Sequence, residues 1–279
     1  MRDCRILLLA ALLLPAYTGS LFAQETAWSR FRQHNAEMSK LQPPMITPLV
    51  AADPRLIQYA RFSVARQRTA AGTETVNFFN GRGGGVVVAR RFEFDVMPPP
   101  YIAHNSSAQD GFGDVTALAK VRVASGGPEH GNYAVAAMVA HSFATGSAKN
   151  GARTDVWCPT LAGGKTFGKR FDVITALGGT MPTGKIAAQG RSIAWNTTAQ
   201  LHATRAVWFE LEDNATYYFA GSRDGQMQNF VAPAVFYVIR PKRWGPSHSF
   251  LIVDTGMQIA TSRAPSYNHN LISEVRILF

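Results

Sequence analysis

The chain has 279 residues, a formal net charge of +10 and 46% hydrophobic residues. No stretch approaches the ~20 consecutive apolar residues that a membrane helix requires, which excludes a helical membrane protein. The basic surplus would suit nucleic acid, but the amino-terminal pattern directs the chain out of the cell, where anionic lipid headgroups, lipopolysaccharide or acidic solutes are the expected partners.

Met1-Arg-Asp-Cys-Arg5 is followed by an apolar run from Ile6 to Ala16 and then by small residues up to Ala23. A charged start, a short apolar run and a candidate cleavage site read as a cleaved signal peptide over residues 1–23. Cys4 leaves with it, so Cys158 stands alone and no intramolecular disulfide is expected. Residues 24–55 form a separate periplasmic segment. Trp28 to Leu41 can make a short amphipathic helix, after which Pro43, Pro44, Pro48 and Pro54 prevent regular structure. The segment reads as a lead-in able to fold back into a barrel mouth, or as a disordered tail.

From residue 56 the apolar period becomes two. Strands are expected at 56–67, 74–80, 85–97, 113–123, 132–144, 156–167, 171–181, 192–203, 206–218, 229–240, 248–260 and 270–279. In 115–123 Val115, Ala117, Ala119, Val121 and Val123 share one face, with Lys120 and Arg122 on the other. Val207, Phe209 and Leu211 likewise oppose Glu210 and Glu212. After export the chain is either soluble or a barrel, because only helices and closed barrels satisfy every backbone group in lipid, and its last residues decide for the barrel. The fold expected over 56–279 is therefore all-β, a closed antiparallel transmembrane barrel of twelve strands, or ten if 74–84 is a loop. Placing the carboxy terminus in the periplasm puts the short links 168–170 and 204–205 on that side. The longer 98–112, 145–155, 182–191, 219–228 and 261–270 then fall outside, as barrels of this kind prefer. The last strand, Leu271 to Phe279, ends on an aromatic residue and resembles the closing strand of bacterial outer-membrane barrels. There the terminal residue, here Phe279, serves as a signal to the barrel-assembly machinery.

The inward face carries the candidate functional residues. On this register Arg61, Arg91, Glu93 and Asp95 face the lumen from the first strands, with Lys120 and Arg122 beside them. Glu210, Glu212 and His202 follow, then Asp254, and Glu274 and Arg276 meet Arg61 where the barrel closes. Either these residues line a polar conduit whose charge selects solutes, or opposite charges pair and fill a barrel too small to conduct. Asp213 and His141 fall on the apolar face and test the register.

Asp110-Gly-Phe-Gly-Asp114, Phe171 to Lys185 and Tyr267-Asn-His-Asn-Leu271 resemble the outer-membrane barrels grouped as meta-pathway phenol-degradation or transporter-like proteins. The resemblance covers residues 56–279 and implies passage of hydrophobic or aromatic compounds, with no catalytic residues to carry over. The charged inward face departs from that expectation.

Other motifs carry little. Gly163-Gly-Lys-Thr166 imitates the end of a phosphate loop, but Pro159 occupies the position of its first glycine and no helix pattern follows. The seven His show no metal-ligand spacing. His202 facing Glu210 or Glu212 across a hairpin is the nearest approach to an acid–base pair. The reading is a channel or transporter-like barrel for passive passage of small solutes, without enzyme activity, cofactor or metal. A non-conducting barrel whose loops bind a partner is the alternative, and a barrel lipid hydrolase a weaker one.

Overall fold

The computed structural model describes His34 and residues 37–147, 149–240 and 249–279. The expected signal over 1–23 lies outside the described residues, as does most of the helix expected over 28–41; His34 and residues 37–40 of that helix are helical.

Fifteen strand segments make one antiparallel sheet that closes on itself. β1 (Tyr59–Arg68) pairs along its whole length with β15 (His269–Leu278), from Tyr59 opposite Leu278 to Arg68 opposite His269. The second barrel strand is split into β2 (Glu74–Phe78) and β3 (Gly84–Ala89), the third into β4 (Phe92–Met97) and β5 (Tyr101–His104), and the fourth into β6 (Gly111–Phe112) and β7 (Val115–Gly126). Eight continuous strands complete a barrel of twelve: β8 (Tyr133–Phe143), β9 (Val156–Phe167), β10 (Phe171–Pro182), β11 (Arg191–His202), β12 (Val207–Ala220), β13 (Met227–Ile239), β14 (Phe250–Ala260) and β15.

The count of twelve stands, while the second and third strands depart from their expected limits. The segment expected as one strand over 85–97 is a hairpin, with β3 and β4 joined at Arg90-Arg91. The glycine-rich 81–84 does not reverse the chain, since β2 and β3 both run antiparallel to β1. It is a bulge between β2 and β3, where Phe79, Asn80 and Gly81 all take positive φ (70°, 46° and 64°) and Arg61 N–H donates to Gly83 O at 2.7 Å. The third strand resumes as β5 beyond Pro98–Pro100, so the expected loop 98–112 shrinks to 105–110. Because the turn merely moves from 81–84 to 90–91, the alternation of ends is preserved downstream. One end carries the short turns 90–91, 168–170 and 203–206; the other carries the longer 144–155, 183–190 and 261–268. We call these the turn end and the loop end.

Side chains sort by the two-residue period of a pleated sheet. In β15 Leu271, Ser273 and Val275 are exposed while Ile272, Glu274 and Arg276 are buried. Outward aromatics gather near the loop end, where Tyr101 meets Phe112 at 5.2 Å between ring centres and His141 stacks on Trp157 at 4.1 Å. At the turn end Phe167 meets Phe171 at 6.3 Å. An apolar outer face banded by aromatics on a closed barrel is the surface of a membrane-embedded protein. The two residues that tested the register are accommodated. His141 sits beside Trp157 near the loop end, and outward-facing Asp213 accepts a hydrogen bond from Asn229 Nδ2 at 2.7 Å.

Candidate functional site in the barrel lumen

Residues 42–58 run inside the barrel, where Leu49 and Leu56 are wholly buried and Gln58 nearly so. Four prolines keep this stretch out of helix and sheet, so its peptide groups need partners elsewhere. The wall supplies them.

Carboxylates and an amide accept the N–H groups. Leu49 N–H donates to Glu210 Oε1 at 2.9 Å, Val50 and Ala51 N–H donate to the two oxygens of Glu212 at 2.8 and 3.0 Å, and Ile46 N–H donates to Gln200 Oε1 at 3.2 Å. Farther along, Ile57 N–H donates to Glu93 Oε2 at 2.5 Å. Cations donate to the carbonyls. Arg61 Nη2 reaches Pro48 O and Leu49 O at 3.2 and 2.8 Å, Arg82 Nη2 reaches Leu49 O at 2.6 Å, Arg276 Nη1 reaches Thr47 O, and Lys120 Nζ reaches Arg55 O at 3.1 Å. Hydrogen bonds with one ionised partner each contribute about 1.5–3 kcal/mol. The plug is thus held by its main chain.

Its side chains settle into notches left by wall glycines. A side chain at Gly256 would begin 2.6 Å from Leu49 Cδ2, and one at Gly164 would begin 3.0 Å from Met45 Sδ. Gly164 belongs to the phosphate-loop imitation, and its role here is to leave room. Leu49 also joins a cluster with Phe236, Ile252 and Ile272. Within the plug, Asp53 pairs with Arg55 at 2.6 Å and accepts from Thr47 Oγ1 at 2.6 Å, closing a compact loop.

The wall charges also pair with one another. Arg61 Nε donates to Glu274 Oε2 at 2.6 Å, and Arg276 contacts both Asp254 and Glu274 at 2.8 Å. Lys120 meets Glu93 at 2.6 Å, its register partner across β4 and β7. Asp95 accepts from the Tyr59 hydroxyl at 3.1 Å. Glu210 and Glu212 are different. Among the described residues neither takes part in an ion pair, and their partners are Gln200 and the plug's N–H groups.

Of the sequence candidates, Arg61, Glu93, Asp95, Lys120, Arg122, Glu210, Glu212, Asp254, Glu274 and Arg276 are buried on the inward face. Arg91 is not. It lies in the exposed turn between β3 and β4, because the chain reverses in the middle of the expected strand. His202 faces inward but meets neither glutamate. Its Nε2 bonds Asp172 Oδ2 at 2.5 Å, its ring stacks on Trp208 at 3.4 Å, and the other Asp172 oxygen accepts from Thr166 Oγ1 at 2.6 Å. Both His202 and the hydroxyl address the carboxylate, so among the described residues no hydroxyl is bonded to the imidazole as a nucleophile would be.

Arg82, Gln200 and Asp172 were not among the sequence candidates, and the plug was foreseen only as a 24–55 lead-in able to fold back into the barrel mouth. Gln200 and Asp172 follow the inward parity of their strands and could have been read from it. Arg82 lies in the bulge, where parity fails.

The plug divides the lumen into two chambers. The outer one, of about 300 Å³, opens toward the loop end above Val50–Asp53 and is walled by Met97, Leu118, Met138, Cys158, Thr160 and Asn196 among others. The inner one, of about 220 Å³, lies at the turn end beneath Met45 and Ile46 and is walled by Trp208, Val238, Phe250 and Leu278. Ile57 borders both.

The sequence matches no protein-family model and no curated protein. Among solved structures, an outer-membrane channel from Pseudomonas putida F1 is similar with a TM-score of 0.56 and 12% identity, covering 84% of this chain and 100% of that one. The NanC porin gives 0.49 and 8% identity over 80% of this chain and 98% of its own. The fold of this chain is that of a closed, twelve-stranded membrane barrel similar to an outer-membrane channel.

Proposed function

We propose that the protein is a channel of the Gram-negative outer membrane for passive passage of small solutes, closed in the described state by residues 45–57. The observation that carries this reading is the pair of chambers on either side of a short, main-chain-held plug. A barrel filled for stability alone would favour apolar packing, since burying charge costs several kcal/mol per ion before pairing offsets it. Here the wall spends buried charges on a segment without regular structure.

In this reading the loop end faces outward among lipopolysaccharide, and the barrel-assembly machinery inserts the chain. The hydrophobic or aromatic solutes implied by the phenol-degradation resemblance find apolar surface at Met97, Leu118 and Met138 of the outer chamber. They then meet a charged plug seat, so a solute with a polar group suits the path better.

Planar-bilayer recording on the refolded full chain tests the channel. The wild type is expected to show rare, brief conductance steps, and Glu212→Ala frequent ones. Absence of steps from both proteins overturns the channel. It would leave the second reading, a non-conducting barrel, which the filled and ion-paired lumen favours.

A further inference from the structure

Resting on the channel reading, we propose that residues 46–51 occupy a solute-recognition site and stand in for its ligand, and that the site takes small amides and zwitterions such as amino acids and short peptides. The argument begins with what the wall reads. Ile46-Thr-Pro-Leu-Val-Ala51 has no charged side chain, and the wall's ionised groups address only its peptide N–H and C=O groups.

These groups are sorted by polarity. Glu210 and Glu212 on β12 take three consecutive N–H donors, from Leu49, Val50 and Ala51. Arg61 on β1, Arg276 on β15 and Arg82 in the bulge take the carbonyls of Thr47, Pro48 and Leu49. Donor-reading and acceptor-reading walls lie three to five strands apart around the ring, from β12 to Arg276 on β15, Arg61 on β1 and Arg82 beside the second barrel strand. A ligand that satisfies both must present N–H or ammonium groups on one side and carbonyl or carboxylate oxygens on the other. A peptide unit or an amino-acid zwitterion has that polarity; an aromatic hydrocarbon has neither half.

Withdrawal of the plug supplies the second part of the argument. The arginines retain Glu274 and Asp254 when residues 46–51 leave. Glu210 retains Gln200, and among the described residues Glu212 keeps no donor outside residues 46–51. Two adjacent carboxylates stripped of their donors in a confined lumen strongly favour any guest that returns N–H groups. The outer chamber borders this place, with Val50 and Ala51 in its floor. A solute gathered there can exchange for the plug one hydrogen bond at a time, without leaving the glutamates bare.

The full chain carrying Leu49→Cys in a Cys4→Ala, Cys158→Ala background tests the exchange. Residue 49 is buried while the plug is seated, so the rate of thiol labelling by a small methanethiosulfonate reagent reports withdrawal. Tri-alanine is the probe and phenol the control. Tri-alanine is expected to raise the labelling rate in a saturable way, and phenol to leave it unchanged. Adding Glu212→Gln removes a charged acceptor, so labelling should start faster and the tri-alanine concentration for half-effect should rise about tenfold. Unaltered heat-modifiable gel mobility would show that each variant has closed its barrel. No response to tri-alanine in the folded protein, or an equal response to phenol, overturns the assignment. The bilayer recording judges the channel separately, so a conducting barrel that ignores tri-alanine refutes the ligand class alone.

Discussion

The two sides of the lumen are built differently. On β12, β14, β15, β1 and β4 the inward face carries Glu210, Glu212, Asp254, Glu274, Arg276, Arg61 and Glu93, all buried, while β13, between β12 and β14, is apolar inside. From β8 to β11 it carries mainly small or apolar residues, Ala134, Ala136, Met138, Ala162, Ile174, Ala176 and Ala194, with Asp172 and Gln200 toward the turn end. The charged side grips and the small-residue side leaves space, so the outer chamber extends from Arg61, Asp95 and Lys120 across to Ala176, Gly178 and Ala194. A barrel of this size can be filled or hollow by side-chain choice on one arc, with no change in strand number.

Removing the grip should have the largest effect. Glu210→Ala with Glu212→Ala takes away three charge-assisted acceptors of the plug. The open fraction in bilayer recordings is expected to rise by on the order of a hundredfold or more, and an unchanged fraction would show that the charged arc does not hold the plug. Arg61→Gln leaves Glu274 with fewer cations and frees the Pro48 carbonyl, while Leu49 O keeps Arg82. Breaking buried pairs of this kind costs about 3–5 kcal/mol, read as a lower urea midpoint for unfolding from detergent. Gly256→Ala introduces a methyl group 2.6 Å from both Leu49 Cδ2 and the wall's Ala234 Cβ; overpacking costs about 1–3 kcal/mol, so openings should become more frequent and the urea midpoint should fall. Ala194→Leu on the small-residue arc narrows the outer chamber only. Its expected result is a modestly smaller conductance step, with open frequency and stability near wild type.

The same contrast explains what could be read from the sequence. Period-two alternation is a side-chain property, so strands such as β7, β12 and β15 and their inward charges were visible, as was the meeting of Arg61 with Glu274 and Arg276. The β3–β4 hairpin was not, because Arg90-Arg91 lacks the Gly, Asn or Asp that marks a two-residue turn. The conspicuous glycines at 81–85 offered a false turn a few residues earlier. Pro98–Pro100 concealed the continuation of the third strand, because proline reads as a break even where an edge-like interruption is tolerated. The grip on the plug was hidden for a deeper reason. Recognition of peptide groups leaves no signature in the side chains recognised, and Pro43 to Pro54 announced only what the segment would not form.

Only residues 52–58 lie between the gripped stretch and the start of β1 at Tyr59. On so short a leash the segment keeps an effective concentration in the millimolar range or above near its own seat. A free competitor must approach that abundance before it wins the place, so scarcity outside leaves the passage shut. The length of the leash sets the threshold, and lengthening it would make the barrel answer to thinner surroundings.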